Sequence, residues 1–284
     1  MITGIIPFVY FKYIQRTVGS TFLRVDRLVA NDAGFEKWVH GKEYDNLIFQ
    51  KAYWLQMMQL FKGPKILDLC DPDWMELQVD IRGLGDHVHA VTCSSDELTQ
   101  LLRSYFPDKT VEHVPDRLDL KIFPSPRNVH QGKAQKAVWF GYIRNAYETL
   151  PQLLPAIRET GLQLRIIANL PYAEKNDMLK MNPEFLYYDQ STAYEQIKEA
   201  DILLNPRSDK AFYRFKSNNK SLIGWKLGLP VAATNGDVMR LMNPDERNRE
   251  VSLMHPVIEK EYAIEKTAEQ YRDIIGRIRQ RYFS

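Results

Sequence analysis

Short apolar runs alternate along the chain with stretches whose apolar residues recur every three to four positions. That alternation predicts parallel strands interleaved with helices, an α/β fold. In the first half, strands are expected at residues 5–11, 46–49, 65–69, 87–92 and 111–114, and helices at 51–61 and 95–105. Ser94-Ser95-Asp96-Glu97 opens the second helix with an N-cap and early acidic residues, which suit the positive end of a helix dipole. Residues 120–136 hold Pro124, Pro126 and Gly132 with little periodicity and read as a linker.

A second series follows: strands at 137–140, 164–167, 185–188, 202–204 and 230–233, with helices at 150–160, 194–200 and 221–227, the last ending at Gly228. The stretch 262–282 places Tyr262, Ala268, Tyr271, Ile275, Ile278 and Tyr282 on one face, a long amphipathic helix. The expected architecture is two Rossmann-like doubly wound α/β domains, 1–125 and 126–284, facing a cleft, with the amphipathic helix closing the second. In such domains ligands sit at the carboxyl ends of the strands.

Composition narrows the possibilities. The 284 residues are 44% hydrophobic and 26% charged, which excludes a disordered or collagenous chain. Lys and Arg total 38 against 36 Asp and Glu, for a net charge of +2, so a dedicated duplex-DNA binder is disfavoured. The first 125 residues are net acidic and the remainder net basic, as an anionic ligand on the second domain would favour. Two cysteines, Cys70 and Cys93, exclude a disulfide framework and read as small buried thiols. The six histidines show no metal-site spacing, and no metal is expected. No run reaches the ~20 apolar residues of a membrane span. The apolar stretch 5–11 lacks a basic leader before it and a small-residue cleavage site after it, so it is expected to be the first buried strand of a cytoplasmic protein.

The densest chemistry lies between Asn205 and Lys220. Asp201-Ile202-Leu203-Leu204 is an apolar strand with Asn205 at its carboxyl end, followed by Arg214, Lys216, Ser217, Asn219 and Lys220 before an apolar helix. A helix starting at Ser217 or Asn218 aims free backbone N–H groups at its N-terminal end, beside three cations. Dipole, donors and charge together suit a diphosphate. On residue chemistry alone the same loop serves equally as a solvated helix cap.

The ordered set Ala200-Asp201-Ile202-Leu203-Leu204-Asn205-Pro206, Lys216-Ser217-Asn218-Asn219-Lys220 and Gly228-Leu229-Pro230-Val231-Ala232-Ala233-Thr234 resembles the donor half of GT-B nucleotide-sugar glycosyltransferases of the retaining family 4, or group 1, type. Val138-Trp139-Phe140-Gly141-Tyr142-Ile143-Arg144-Asn145 resembles the strand and glycine loop that open that domain. Val91 to Leu98, and His113-Val114-Pro115-Asp116 through Phe123, resemble segments late in the acceptor domain. The resemblance spans roughly residues 65–240. It implies a donor site of Gly141, Arg144, Asn145, Tyr188, Asn205, Arg214, Lys216, Ser217, Asn219 and Lys220, with Tyr188 and Asp189 bordering the base. It further implies a UDP- or GDP-sugar donor, no separate cofactor, and an acceptor hydroxyl on a carbohydrate or other molecule.

Two departures stand out. The Glu-x7-Glu pair of that family falls on Phe215 and Ile223, so both carboxylates are absent. The Arg that usually follows the first glycine is Tyr142, with Arg144 two residues on. The short chain also implies a trimmed acceptor domain.

In the acceptor half, Arg24 follows the first strand, and Asp68, Asp71 and Asp73 surround the end of another. Asp71 or Asp73 suits a general base with Arg24 facing it, although Asp-Pro-Asp is also ordinary turn chemistry. Two alternatives remain open on the sequence. One is sugar transfer to a nucleic-acid base, helped by Arg127, Lys133 and Lys136 of the linker. The other is a degenerate binding protein that lost catalysis with its two glutamates.

Overall fold

A computed structural model describes residues 3–7, 22–24, 44–169 and 179–284. The chain forms two compact units. The first comprises Met1–Arg117, Arg214–Ser217 and Ile264–Ser284; the second comprises Leu118–Tyr213 and Asn218–Ala263.

The first unit holds β1 (Thr3–Pro7), β2 (Phe22–Arg24), β3 (Asn46–Gln50), α1 (Leu55–Leu60), β4 (Lys65–Leu69), α2 (Asp73–Leu77), α3 (Ile81–Gly85), β5 (Ala90–Cys93), α4 (Asp96–Tyr105) and β6 (Thr110–His113). All strands are parallel, in the order β2-β1-β3-β4-β5-β6. Both faces are covered, which is why the strands read as unbroken apolar runs. Leu47, Phe49, Leu67, Leu69, Val91 and Cys93 point to the side packed by α1–α4. Ile48, Ile66 and Ala90, one residue out of phase, meet Tyr271, Ile274, Ile275 and Ile278 near the end of the chain.

The second unit holds β7 (Lys136–Gly141), α5 (Ile143–Thr149), a 3-10 turn at Leu150–Leu153, α6 (Leu154–Thr160), β8 (Gln163–Ala168), β9 (Glu184–Tyr187), α7 (Ala193–Lys198) and β10 (Ile202–Leu204). Then come α8 (Ala211–Arg214), α9 (Asn219–Lys226), β11 (Val231–Ala232), α10 (Asn235–Arg240), α11 (Pro244–Glu261) and, returning to the first unit, α12 (Ile264–Tyr282). Its sheet is also parallel, in the order β11-β10-β7-β8-β9, with apolar residues on both faces. The strand order reverses between β7 and β10, the topological switch point where ligands of such sheets bind.

The amphipathic helix expected in the second domain therefore belongs to the first unit, where its apolar face fills the second side of the sheet. The chain first crosses to the second unit at Leu118 rather than at residue 126. Residues 120–136 are packed rather than loose: Arg127 N donates to Leu227 O at 2.9 Å, and buried His130 lies 2.9 Å from Gly228 O. Gly228 is needed here twice over, since its φ is +77° and a Cβ would lie 2.4 Å from Arg127 O. The strand expected at 87–92 starts only at Ala90, leaving His87 and His89 ahead of it. Of the strand expected at 5–11, residues 8–11 lie outside the described residues.

Candidate functional site

At the switch point of the second unit, β7 ends on Gly141 with φ at +139°. Lys220, in the first turn of α9, lays its Nζ 4.0 Å from the Trp139 ring centre. A Cβ on residue 141 would lie 2.9 Å from that nitrogen, so only glycine leaves the lysine its place at the strand end. The face of an indole is a favourable seat for a cation.

Helix α9 begins without a side-chain cap. The side chain of Asn218, its N-cap residue, bonds no helix amide, and its Oδ1 accepts from Arg207 at 2.5 Å instead. The positive end of the helix dipole therefore lies at this strand-end corner without an Asn218 side-chain cap. Asn205, just past β10, donates from Nδ2 to Ser221 Oγ at 2.9 Å and ties the strand end to the same turn. Asn145 Oδ1 accepts from Tyr213 OH at 3.1 Å, which fixes the start of α5 against α8.

The second unit therefore gathers Gly141, Asn145, Asn205, Asn219 and Lys220 from the expected donor set. Arg144 sits in α5, 79% exposed and 3.7 Å from Glu148. Tyr188 is held by its amide to Ala168 O at 2.8 Å with its ring partly buried, while Tyr187 before it is 63% exposed. Asp189 accepts from the hydroxyl and amide of Ser191, which hold its carboxyl below the usual range. Arg207, Tyr213, Ser221 and Trp139 complete the arrangement, and none was singled out as a site residue from the sequence. The Asn205-Pro206-Arg207 run was the available signal for the first.

Arg214, Lys216 and Ser217 fall in the first unit. Phe215 packs against that unit's core, its backbone O accepts from Ser95 Oγ at 2.8 Å, and Ser217 Oγ donates to Asp116 at 2.5 Å. Phe215 and Ile223, at the positions of the missing glutamates, are both apolar packing residues. A carboxylate at either would sit among apolar side chains, which disfavour its charge.

The first unit carries a different cluster at its strand ends. Lys51, directly after β3, adopts a left-handed φ of +50°, a conformation that costs energy for a residue with a Cβ. Its Nζ lies 3.0 Å from Asp71 and 3.2 Å from Asp73. Burial alone would lower its pKa, but the two carboxylates outweigh that and hold the ammonium above its usual range. Tyr53 donates to Asp73 as well. Buried Asp68 accepts from Gln50 at 3.0 Å and Thr92 at 2.8 Å.

Asp116 differs from these. Burial, with Asp71 and Asp68 adding to it against the Ser217 hydrogen bond and Lys51, pushes its carboxyl up to about 7. Asp71 and Asp73, the expected bases, are ion-paired groups. Asp116 is the carboxyl poised near neutral pH, a role that no motif announced. Arg24 lies in β2, and its side chain is outside the described residues. Among the described residues no His, Cys, Asp or Glu are grouped as a metal ion requires, and no helix is long and apolar enough to cross a membrane.

No protein-family model matches the chain, and no curated protein matches it in sequence. Solved structures do match in fold. HepE of Anabaena, in complex with UDP and glucose, superposes with a TM-score of 0.66 at 9% identity over 90% of this chain and 85% of its own. An alpha-glucosyltransferase in complex with UDP-glucose and DNA containing an abasic site gives 0.60 at 12% identity over 90% and 86%. TarM gives 0.65 at 10% identity, covering 86% of this chain and 58% of its own. The chain thus spans about three fifths of the length of TarM and of the pneumococcal O-GlcNAc transferase GtfA. At these identities the likeness is one of fold, and the fold of this chain is that of the GT-B glycosyltransferases.

Proposed function

We propose that the protein is a glycosyltransferase that moves a sugar from a nucleoside-diphosphate donor to an acceptor hydroxyl. The observation that carries this reading is Lys220, held on Trp139 beside Gly141 at the uncapped start of α9 and at the switch point of the second unit. A diphosphate bound there meets a fixed cation and a helix dipole, which also stabilise the charge that develops on the leaving group. With that charge met by protein groups, the reaction proceeds without a metal or cofactor. Arg144 adds a further cation, Asn205 contacts the phosphates or sugar, and Tyr188 with Asp189 borders the base. Structural neighbours solved with UDP or UDP-glucose support a UDP-sugar.

The acceptor belongs to the first unit. Asp116 takes the acceptor's proton, and Asp71 and Asp73 orient the acceptor through Lys51. A carboxyl titrating near 7 matches the working pH of a general base.

A DNA acceptor is the second reading, favoured by the neighbour solved with UDP-glucose and DNA. Two of the three linker cations count against a nucleic-acid footprint. Arg127 pairs with Asp201 at 3.0 Å and Lys136 with Glu184 at 3.2 Å. Thermal melting with UDP-, GDP-, ADP- and dTDP-sugars tests the main reading. Ligand at a hundredfold its Kd adds ~2.7 kcal/mol, so one nucleotide class should raise Tm. No shift with any of them refutes donor binding.

A further inference from the structure

A cavity of about 370 Å³ opens at the amino-terminal end of the first unit's sheet, the end away from the strand termini discussed above. Its size falls within the ~300–1,000 Å³ of small-molecule sites. Lys65 begins β4 on its wall, His89 precedes β5, and Lys109 precedes β6. Lys65 is only 9% exposed. Its ammonium donates to Met58 O at 2.9 Å and Phe61 O at 2.7 Å, which uses two of its three N–H groups. Lys109 Nζ donates to Val88 O at 3.1 Å.

Among the described residues neither lysine forms an ion pair. Buried charges are normally paired, because desolvation without a counter-charge is costly. Burial lowers the Lys65 pKa, and Lys62 nearby lowers it further. His89 reports the same positive field. Burial, then Lys65 and Lys109, push it down to about 4, so it is neutral. Its Nδ1 accepts the Lys65 backbone amide at 3.1 Å, which places the proton on Nε2 as one more donor. Gln59 and His87, 3.5 Å apart, bring further polar nitrogens, and the ring of Tyr282 forms an aromatic wall 5.1 Å from that of His89. Asp86, at an exposed edge, is the one carboxylate in the lining.

We infer that this cavity binds a small oxyanion, a phosphate or phosphate monoester, as the counter-charge to Lys65 and Lys109. The site is separate from the proposed donor site and does not depend on the transferase reading.

Calorimetric titration of inorganic phosphate into the full chain tests it, using wild type, Lys109→Gln and Lys220→Gln, with His89 followed by NMR. The phosphate dependence of His89 should be alike in wild type and Lys220→Gln and roughly tenfold weaker in Lys109→Gln, as loss of one charged hydrogen bond implies. Phosphate should also raise the His89 titration midpoint above about 4, since a bound anion favours imidazolium. An unchanged phosphate dependence of His89 in Lys109→Gln, or its loss in Lys220→Gln, overturns the inference by placing the anion elsewhere. If Lys109→Gln fails to fold, the wild-type NMR titration decides, and a His89 midpoint unmoved by phosphate refutes the site.

Discussion

At the carboxyl ends of β7 and β10, a lysine rests on an indole beside a glycine, at a helix start that Asn218's side chain does not cap. At the carboxyl ends of β3 and β4, a lysine in a left-handed backbone is instead held by two aspartates, with Asp68 and Asp116 close by. Both sheets are parallel and doubly wound, so the fold fixes where each cluster lies. The residues of the following loops fix its charge, which is why function is argued from the site and not from the fold. One unit sets a cation at its strand ends. The other holds a cation between carboxylates and a buried carboxyl raised to about 7.

The strongest way to break this contrast is to remove the second unit's cation. Lys220→Ala should weaken UDP binding by roughly tenfold to a hundredfold, the worth of a charged hydrogen bond of ~1.5–3 kcal/mol, read by calorimetry. In the first unit the equivalent deletion should act on folding. Lys51→Met leaves Asp71 and Asp73 facing each other without their cation and should cost ~1–3 kcal/mol of stability, measured by urea unfolding, with donor affinity unchanged. Gly141→Ala combines a strained φ with displacement of Lys220 and should cost ~1 kcal/mol of stability while weakening UDP binding as well.

A further effect concerns pH. The folded-state pKa of Asp116, about 7, lies above its unfolded value near 3.8. The folded chain therefore holds this proton more tightly, and stability falls as pH rises from about 4 to 7 and then levels off. Asp116→Asn should remove that fall, raising Tm at pH 8 with little change at pH 4. In kcat/KM the same variant should lose an ionisation near 7 if Asp116 takes the acceptor's proton. A wild-type profile that persists in Asp116→Asn returns that role to Asp71 or Asp73.

Continuous apolar runs made the strands legible: 202–204 coincides with β10, and the expected 65–69 coincides with β4. Ser95 caps α4 as its sequence implied, accepting from Leu98 N at 3.2 Å. Helix α11 was invisible because it has almost no buried face, only Arg247 and Ile258 being buried along it, and it contains Pro256. In the donor set, residues flanking one helix start could be read together from their spacing. Lys216 and Lys220 look equivalent in sequence, yet Phe215 anchors the first of them to a different unit. Asp116 was hidden for a related reason. Its partners Ser217, Asp71 and Lys51 are distant in sequence, and only the folded chain brings them to its carboxyl.

The central claim is that the cradle at Gly141 and Lys220 holds a nucleoside diphosphate. Its most direct test is calorimetric titration of UDP into wild type and Lys220→Ala without added metal. The account predicts saturable one-to-one binding in wild type that weakens at least tenfold in the variant, with the Tm of the variant close to that of wild type. UDP binding of equal affinity in both proteins, or no binding to wild type with any nucleoside diphosphate, would contradict it.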